Sequence, residues 1–362
     1  MAIWKIDELG EFVTLKRGYD LPQQKRKNGE IPIFSSSGVT GTHNEAMVEA
    51  PGVITGRYGT IGEVFFAETS FWPLNTTLYV ENFHENDEKF VYYFLKTLEW
   101  KKFASASAVP GINRNTVHKE IVRFPDFETQ QKIASVLSTI DKKIAVNKAI
   151  NDNLEQQAAA LFSSLYNRSN TEVRYIDLIQ ILGGGTPKTG ETAYWNGNIA
   201  FFTPKDVGTP YTFITEKTIT EEGLSHCNSR LYPVNTVFVT ARGTVGKVGL
   251  SGIPMAMNQS CYALVGKETH QLLVYFYTLK AVDRLKHKAS GAVFDAITTR
   301  DFDSEQIMKL SDDDAKAFLC VAEPMFQEML NNSIENLRLS TLRDFLLPKL
   351  MSGEIDVSSV QL

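Results

Sequence analysis

Cysteine is scarce in this chain of 362 residues: Cys227, Cys261 and Cys320 stand far apart and form no Cys-x-x-Cys pair. That spacing suggests neither a zinc knuckle nor a disulfide framework, so the three are expected as thiols packed in a core. Long apolar runs are missing too; none approaches the ~18 to 20 residues of a membrane span. The opening segment carries Lys5, Asp7 and Glu8, where a secretory signal is apolar, which makes the cytoplasm the expected compartment. Positive charge is in deficit, with a net −5, and this counts against a nucleic-acid binder of the usual basic kind. The deficit is local, however, because residues 311–362 hold nine acidic against four basic residues while 167–310 hold fifteen basic against thirteen acidic. Only charge within a Debye length of about 8 to 10 Å acts on a phosphate, so an acidic chain can still present a basic face to DNA. Lys16-Arg17 and Lys25-Arg26-Lys27 are clusters that would serve, although surface clusters of this size are more often only solvating.

Catalytic constellations are also missing. Neither His-Glu-x-x-His nor Gly-x-Ser-x-Gly occurs, and the six histidines are isolated from one another. Gly183-Gly184-Gly185-Thr186-Pro187-Lys188-Thr189 resembles a phosphate loop only superficially. The motif needs Gly directly before its Lys, and Pro187 removes a backbone N–H donor there. The acidic run Asp312-Asp313-Asp314 reads better as a first-turn partner of a helix dipole than as a cation site.

What the chain does have is an internal repeat. Val53 to Val64 matches Phe238 to Val248 if one residue slips, with Gly59, Thr60, Gly62 and Val64 falling on Gly243, Thr244, Gly246 and Val248. Asn75 to Tyr79 lies opposite Asn258 to Tyr262, and Val91-Tyr92-Tyr93-Phe94 opposite Val274-Tyr275-Phe276-Tyr277. Each copy reads as short strands broken by Gly, Pro and Ser, then one amphipathic helix whose aromatics are core. After each copy comes a seam of apolar residues at steps of four and three. The first is Ile133, Leu137, Ile140, Ile144, Leu154, Ala158, Leu161 and Leu165, with Asn147 and Asn151 in the gaps. The second is Phe318, Ala322, Met325, Met329, Leu339, Leu346 and Leu350, with Asn332 and Asn336 in the gaps and Arg343 breaking the rule.

The predicted fold is α+β: two similar β-rich domains separated by two long antiparallel, coiled-coil-like helices, a pseudo-twofold internal repeat. The expected boundaries are 1–125 and 169–310 for the domains, 126–168 for the first helix, and 311–362 for the second helix with its tail. A symmetric antiparallel register would set Asn147 near Asn336 and Asn151 near Asn332, fixing the register as buried Asn pairs do. Pro324 falls inside the second seam and predicts a shortened or bent helix there. Ala158-Ala159-Ala160 reads as a stretch that buries little volume.

Several strings carry a resemblance to a known family. Gly184-Gly185-Thr186-Pro187-Lys188, Tyr194-Trp195-Asn196-Gly197 and Thr203-Pro204-Lys205-Asp206 resemble the opening of a target-recognition domain in the specificity subunits of type I restriction-modification systems. Phe124-Pro125 followed by Gln130-Gln131-Lys132-Ile133 resembles the start of that family's spacer helix, and Leu347-Pro348-Lys349-Leu350-Met351-Ser352-Gly353 its C-terminal end. The resemblance implies that each domain reads half of a bipartite double-stranded DNA site, while the helices dock methyltransferase subunits, two in number, and set the gap. It implies no catalysis and no directly bound cofactor or metal. S-adenosylmethionine, ATP and Mg would be used by the modification and restriction/translocase partners, with no membrane involved. The competing readings are a self-contained restriction or methylation enzyme with fused recognition domains, and a coiled-coil scaffold for proteins.

Candidate contacts follow from which groups reach DNA. Arg57, Arg114 and Arg242 can bond guanine in bidentate fashion, Asn75 and Asn258 can pair with adenine or else cap turns, and Lys16, Lys25, Lys188, Lys205 and Lys247 can neutralise phosphate. Ser36 and Thr76 are loop contacts through hydroxyls and backbone N–H groups. Arg17, Tyr58, Thr60, Thr186, Thr244 and Arg300 complete the DNA-binding set.

Overall fold

The computed structural model describes residues 3–105, 110–208, 210–288 and 296–360. The first copy of the repeat runs β1 (Trp4–Glu8), α1 (Leu9–Phe12), β2 (Thr14–Arg17), β3 (Ile31–Ser35), β4 (Gly38–His43), β5 (Gly52–Gly56), β6 (Val64–Ala67), β7 (Trp72–Pro73), β8 (Thr77–Asn82), α2 (Glu88–Lys96), α3 (Arg114–His118), β9 (Ile121–Pro125) and the long α4 (Phe127–Arg168). The second runs β10 (Thr171–Arg174), α5 (Tyr175–Leu178), β11 (Ile179–Gly183), β12 (Trp195–Phe202), β13 (Tyr211–Thr212), β14 (Lys217–Ile219), α6 (Glu221–Ser225), β15 (Val237–Thr240), β16 (Val248–Ser251), β17 (Met255–Met257), β18 (Cys261–Gly266), α7 (Gln271–Lys288), α8 (Thr299–Ser304), β19 (Gln306–Lys309) and α9 (Asp312–Ser352).

Backbone contacts group these into two compact units, Met1–Ala145 with Asn336–Leu362, and Val146–Glu335. In the first, one sheet has the order β2-β8-β5-β6, a second β4-β3-β7, and β1 pairs with β9. In the other the orders are β11-β18-β15-β16-β13 and β14-β12-β17, with β10 on β19. Strand for strand the topology is duplicated, down to the parallel pairing of β3 with β7 and of β12 with β17; β13 is an addition at the sheet edge.

The aromatics of α2 and α7 are core, as their spacing requires: Phe90, Tyr93 and Phe94 in one unit, Tyr275, Phe276 and Tyr277 in the other, are all buried. A charged pair repeats as well. Leu9 N–H donates to the Glu120 carbonyl and Tyr175 N–H to that of Glu305, so the two glutamates correspond. Lys102 bonds the first at 2.5 Å; Arg284 at 2.8 Å and Lys288 bond the second, which is wholly buried.

The long helices pair antiparallel within each unit. In the first, Ile133 and Leu137 of α4 share a core with Leu350 and Met351 of α9. Arg343, the exception in the apolar seam, bonds Asp141 at 2.8 Å, whose other oxygen accepts from the Tyr93 hydroxyl at 2.6 Å. In the second unit, the Phe162 ring of α4 lies edge-on to Phe318 of α9 at 5.4 Å, and Asn332 donates to Asn151 at 3.0 Å, the expected pairing. Buried Asn147 donates to Glu335 at 2.7 Å; Asn336 belongs to the other unit.

Three expectations are corrected. α9 runs through Pro324 for 41 residues, against 42 in α4. Proline removes the N–H that would bond the Cys320 carbonyl, but both residues are exposed, so water can take that acceptor and the helix continues. For the same reason Cys320 is no core thiol: it projects from the solvent side of α9, two positions from each of the seam residues Phe318 and Ala322. Ala158 is wholly buried in the core that contains Phe162, so its small size is required by close packing. The acidic run behaves as its position predicts. Ser311 accepts from Asp314 N–H at 3.1 Å and donates to its carboxylate at 3.0 Å, closing the first turn of α9 with carboxylates near the positive end of the helix dipole.

Candidate nucleic-acid interface

The loop leaving β5 is built by backbone geometry that recurs after β15. Gly59 and Gly62 have φ of 74° and 90°, Gly243 and Gly246 of 80° and 74°, conformations open to glycine and costly for other residues. Arg57 and Tyr58 both donate their N–H to the Thr76 carbonyl, at 2.9 and 3.2 Å; Ala241 and Arg242 donate to that of Ser260 at 2.8 and 3.2 Å. Strand pairing extends this register without a break, Gly56 facing Thr77 and Thr240 facing Cys261. From Val53 to Tyr79 each residue therefore has its counterpart 184 positions on, and the one-residue slip between the copies is not needed.

The pairing of candidates changes accordingly. Arg57 corresponds to Ala241 and Tyr58 to Arg242, so the two arginines are not equivalent. Asn75 corresponds to Gln259 and Leu74 to Asn258. The side chains agree: Asn75 bonds Asp20, and Gln259 bonds Thr186 in the matching place. Asn258 accepts from Ser260 N–H at 3.0 Å, the turn-capping alternative.

Four of the candidate cations converge in the first unit. Lys16 and Arg17 from β2, Arg57 after β5 and Arg114, the first residue of α3, line one open cavity of about 310 Å³ with Leu78, Ile112 and Asn113. Asn113 caps α3 by accepting from Asn115 N–H at 3.0 Å, which fixes where Arg114 leaves the chain. Arg57 is positioned twice, its Nε donating to the Ile112 carbonyl at 3.1 Å and its guanidinium lying 4.4 Å from the Tyr58 ring centre. Lys16 bonds Glu81 at 2.6 Å, and that carboxylate raises the lysine pKa. Beneath the cavity, His118 Nε2 accepts from Leu15 N–H at 2.9 Å. Burial, with the charge of Arg114, holds the imidazole pKa below its ordinary value, keeping the ring neutral as that bond requires.

The remaining candidates are dispersed. Lys25 sits in an exposed turn, and Thr60 is exposed beside Gly59. Ser36 lies half-buried against the Gly56–Gly59 loop. Thr76 serves the loop through its carbonyl, its hydroxyl being buried. In the second unit Lys188, Arg242, Thr244, Lys247 and Arg300 are exposed, and Lys205 bonds Glu216 at 3.4 Å. The side chains standing where the first unit has Lys16, Arg17, Arg57 and Arg114 follow from strand register and from the caps of α3 and α8. They are Leu182, Gly183, Ala241 and Thr299, none of them charged. Sequence reasoning named all four cations but missed their meeting, together with Asn113 and Glu81. The signal was present for Asn113, since Asn directly before a short apolar-polar run is an N-cap pattern.

Among the described residues, no group of three or more His, Cys, Asp or Glu side chains could hold a metal ion, and no helix is long and apolar enough to cross a membrane.

Comparison with known proteins places this duplicated scaffold. The family described as "Type I restriction modification DNA specificity domain" matches residues 1–156 and 168–309, each stretch containing one copy of the repeat. The chain is 25% identical to the type I restriction enzyme HindI specificity subunit of Haemophilus influenzae, over 72% of this chain and 75% of that protein. It is 29% identical to the EcoR124I/EcoR124II specificity subunit of Escherichia coli, over 52% and 50% respectively. The crystal structure of the type I restriction-modification S subunit from M. genitalium shares the fold, with a TM-score of 0.66, 17% identity and 96% of each chain covered. Matched in both copies of its repeat, this chain belongs to the type I restriction modification DNA specificity family.

Proposed function

We propose that this chain is the DNA-reading specificity subunit of a type I restriction-modification enzyme, its domains at 1–125 and 169–310 each reading one half of a bipartite double-stranded site. One observation carries this reading: the same backbone loop, with the same positive-φ glycines and the same bifurcated carbonyl, presents Arg57-Tyr58 in one copy and Ala241-Arg242 in the other. A duplicated scaffold with different side chains on one loop is what reading two different sequences requires, because base edges are distinguished by donor, acceptor and methyl pattern. The helices α4 and α9 would dock two methyltransferase subunits and set the gap. Methyl transfer from S-adenosylmethionine, and ATP- and Mg-dependent translocation and cleavage, would belong to those modification and to restriction subunits, in the cytoplasm.

Selection of bound duplexes from a random library by the chain assembled with its methyltransferase tests this. Two short specified blocks separated by unspecified bases of constant number are expected. A single continuous block, or no enrichment, would overturn the reading.

A further inference from the structure

Among the described residues, the positions matching the four cations of the first unit's cavity carry no charge in the second unit, although strand register and helix caps place them alike. Four cations line 310 Å³ in one copy, where Leu182, Gly183, Ala241 and Thr299 stand in the other. The difference is not a matter of fold. Lys16 and Arg17 lie on β2 and their replacements on β11, in register with β8 and β18 respectively. The short helices α3 and α8 follow the same backbone bond, Ile112 N–H to the Arg57 carbonyl and Ile297 N–H to the Ala241 carbonyl. Nor is the cluster plain solvating surface: Arg57 is tethered to a carbonyl and stacked on Tyr58, so one arm of the site is held before any ligand arrives. Like charges gathered on a fixed frame repel one another at a cost that an incoming anion removes.

We propose that this cavity seats backbone phosphate of the DNA, and that the first unit therefore anchors the duplex electrostatically while the second unit contributes its half-site without an equivalent anchor. The proposal rests on the DNA-reading function above. It adds that the two half-sites differ in kind: the first supplies more of the sequence-independent, salt-sensitive affinity. Each phosphate neutralised adds about 0.9 to the magnitude of the slope of log K against log salt on B-form DNA. Removing Arg17 or Arg114 from the cavity should lower that slope and weaken all sequences alike, Arg57 being held to the Ile112 carbonyl as part of its wall, whereas the matching positions of the second unit, Gly183 and Thr299, carry no such contribution.

The test uses the full chain and a double-stranded DNA of fixed arbitrary sequence, with affinity measured over a series of salt concentrations. Arg17→Ala and Arg114→Ala, both exposed side chains, are each expected to reduce the slope by about one. Thr299→Ala, at the position matching Arg114, and Lys142→Ala, an exposed lysine of α4, should leave it unchanged. Thermal melting of each variant checks that the fold is intact. A wild-type slope retained by both arginine variants would overturn the phosphate seat and leave the bipartite reading standing. Equal losses from Lys142→Ala would also overturn it, by showing that any cation serves. Absence of duplex binding by the wild-type chain at every salt concentration would overturn both.

Discussion

On the proposed reading single residues would carry the base contacts, and their equivalence between the copies decides what each substitution should do. Arg57→Ala is expected to relax recognition in the first half-site only, and Arg242→Ala in the second only. A guanine contact is worth about 1 to 3 kcal/mol of discrimination, while a phosphate contact weakens every sequence equally. Binding to variant duplexes checks this; a uniform loss would make either arginine a positioning residue. Because Arg57 corresponds to Ala241, the two positions need not select the same base. His118 supplies a pH dependence. Its folded pKa lies below that of the unfolded chain, so the native state binds fewer protons: its contribution is full above the unfolded value near 6.5 and is lost as pH falls toward the folded value. Melting temperature should fall more steeply from neutral to mildly acidic pH in the wild type than in His118→Gln, whose amide oxygen can still accept from Leu15. Arg114→Ala should soften the decline by removing the charge that helps depress the pKa. Identical pH profiles for wild type and His118→Gln would refute the assignment.

At the scale of elements, the helices are held in register by polar groups inside an apolar seam. Asn151 receives the Asn332 amide at 3.0 Å and donates its own to the Met329 carbonyl and the Ser333 hydroxyl, both at 3.1 Å. Replacing Asn151 and Asn332 together by Leu is expected to raise stability by about 1 to 3 kcal/mol while removing the device that favours one register. Denaturant unfolding would show the gain, and a double variant less stable than the wild type would contradict it. Both helices were legible in the sequence because a seam repeating every three or four residues is a local signal. Gly59, Thr60, Gly62 and Val64 were matched to the right residues, but the strings on either side were each off by one, because short runs such as Val53-Ile54 and Phe238-Val239 slide past each other at little cost in similarity. The carbonyls of Thr76 and Ser260 fix the register, together with the strand pairing beside them. The cation cavity was less legible still, since residues 16, 17, 57 and 114 meet through pairing between segments far apart in the chain, which no local pattern encodes; only the Asn113 cap left a local signal. Cys320 and Pro324 were misjudged together, both lying on a face of α9 that faces solvent.

For the whole molecule, the central claim is that two recognition domains read separate blocks of DNA and that α4 and α9 set the distance between them. Lengthening the pair tests this, and the structure indicates where. Ala158 is packed too tightly to accept an insertion, whereas Val146 and Ile150 of α4 are 53% and 41% exposed. One heptad inserted near Val146, matched by one in α9 near Leu339, keeps the seam in phase to within about 20° and adds about 10.5 Å along the helix axis. With B-form DNA rising about 3.4 Å per base pair, the gap should widen by at most about three base pairs. The decisive measurement is a map of methylated sites made by the parent and by the double-insertion variant, each co-expressed with the methyltransferase. The account predicts identical half-site sequences in both maps and a longer gap in the variant; an unchanged gap, or altered half-site bases, would contradict it.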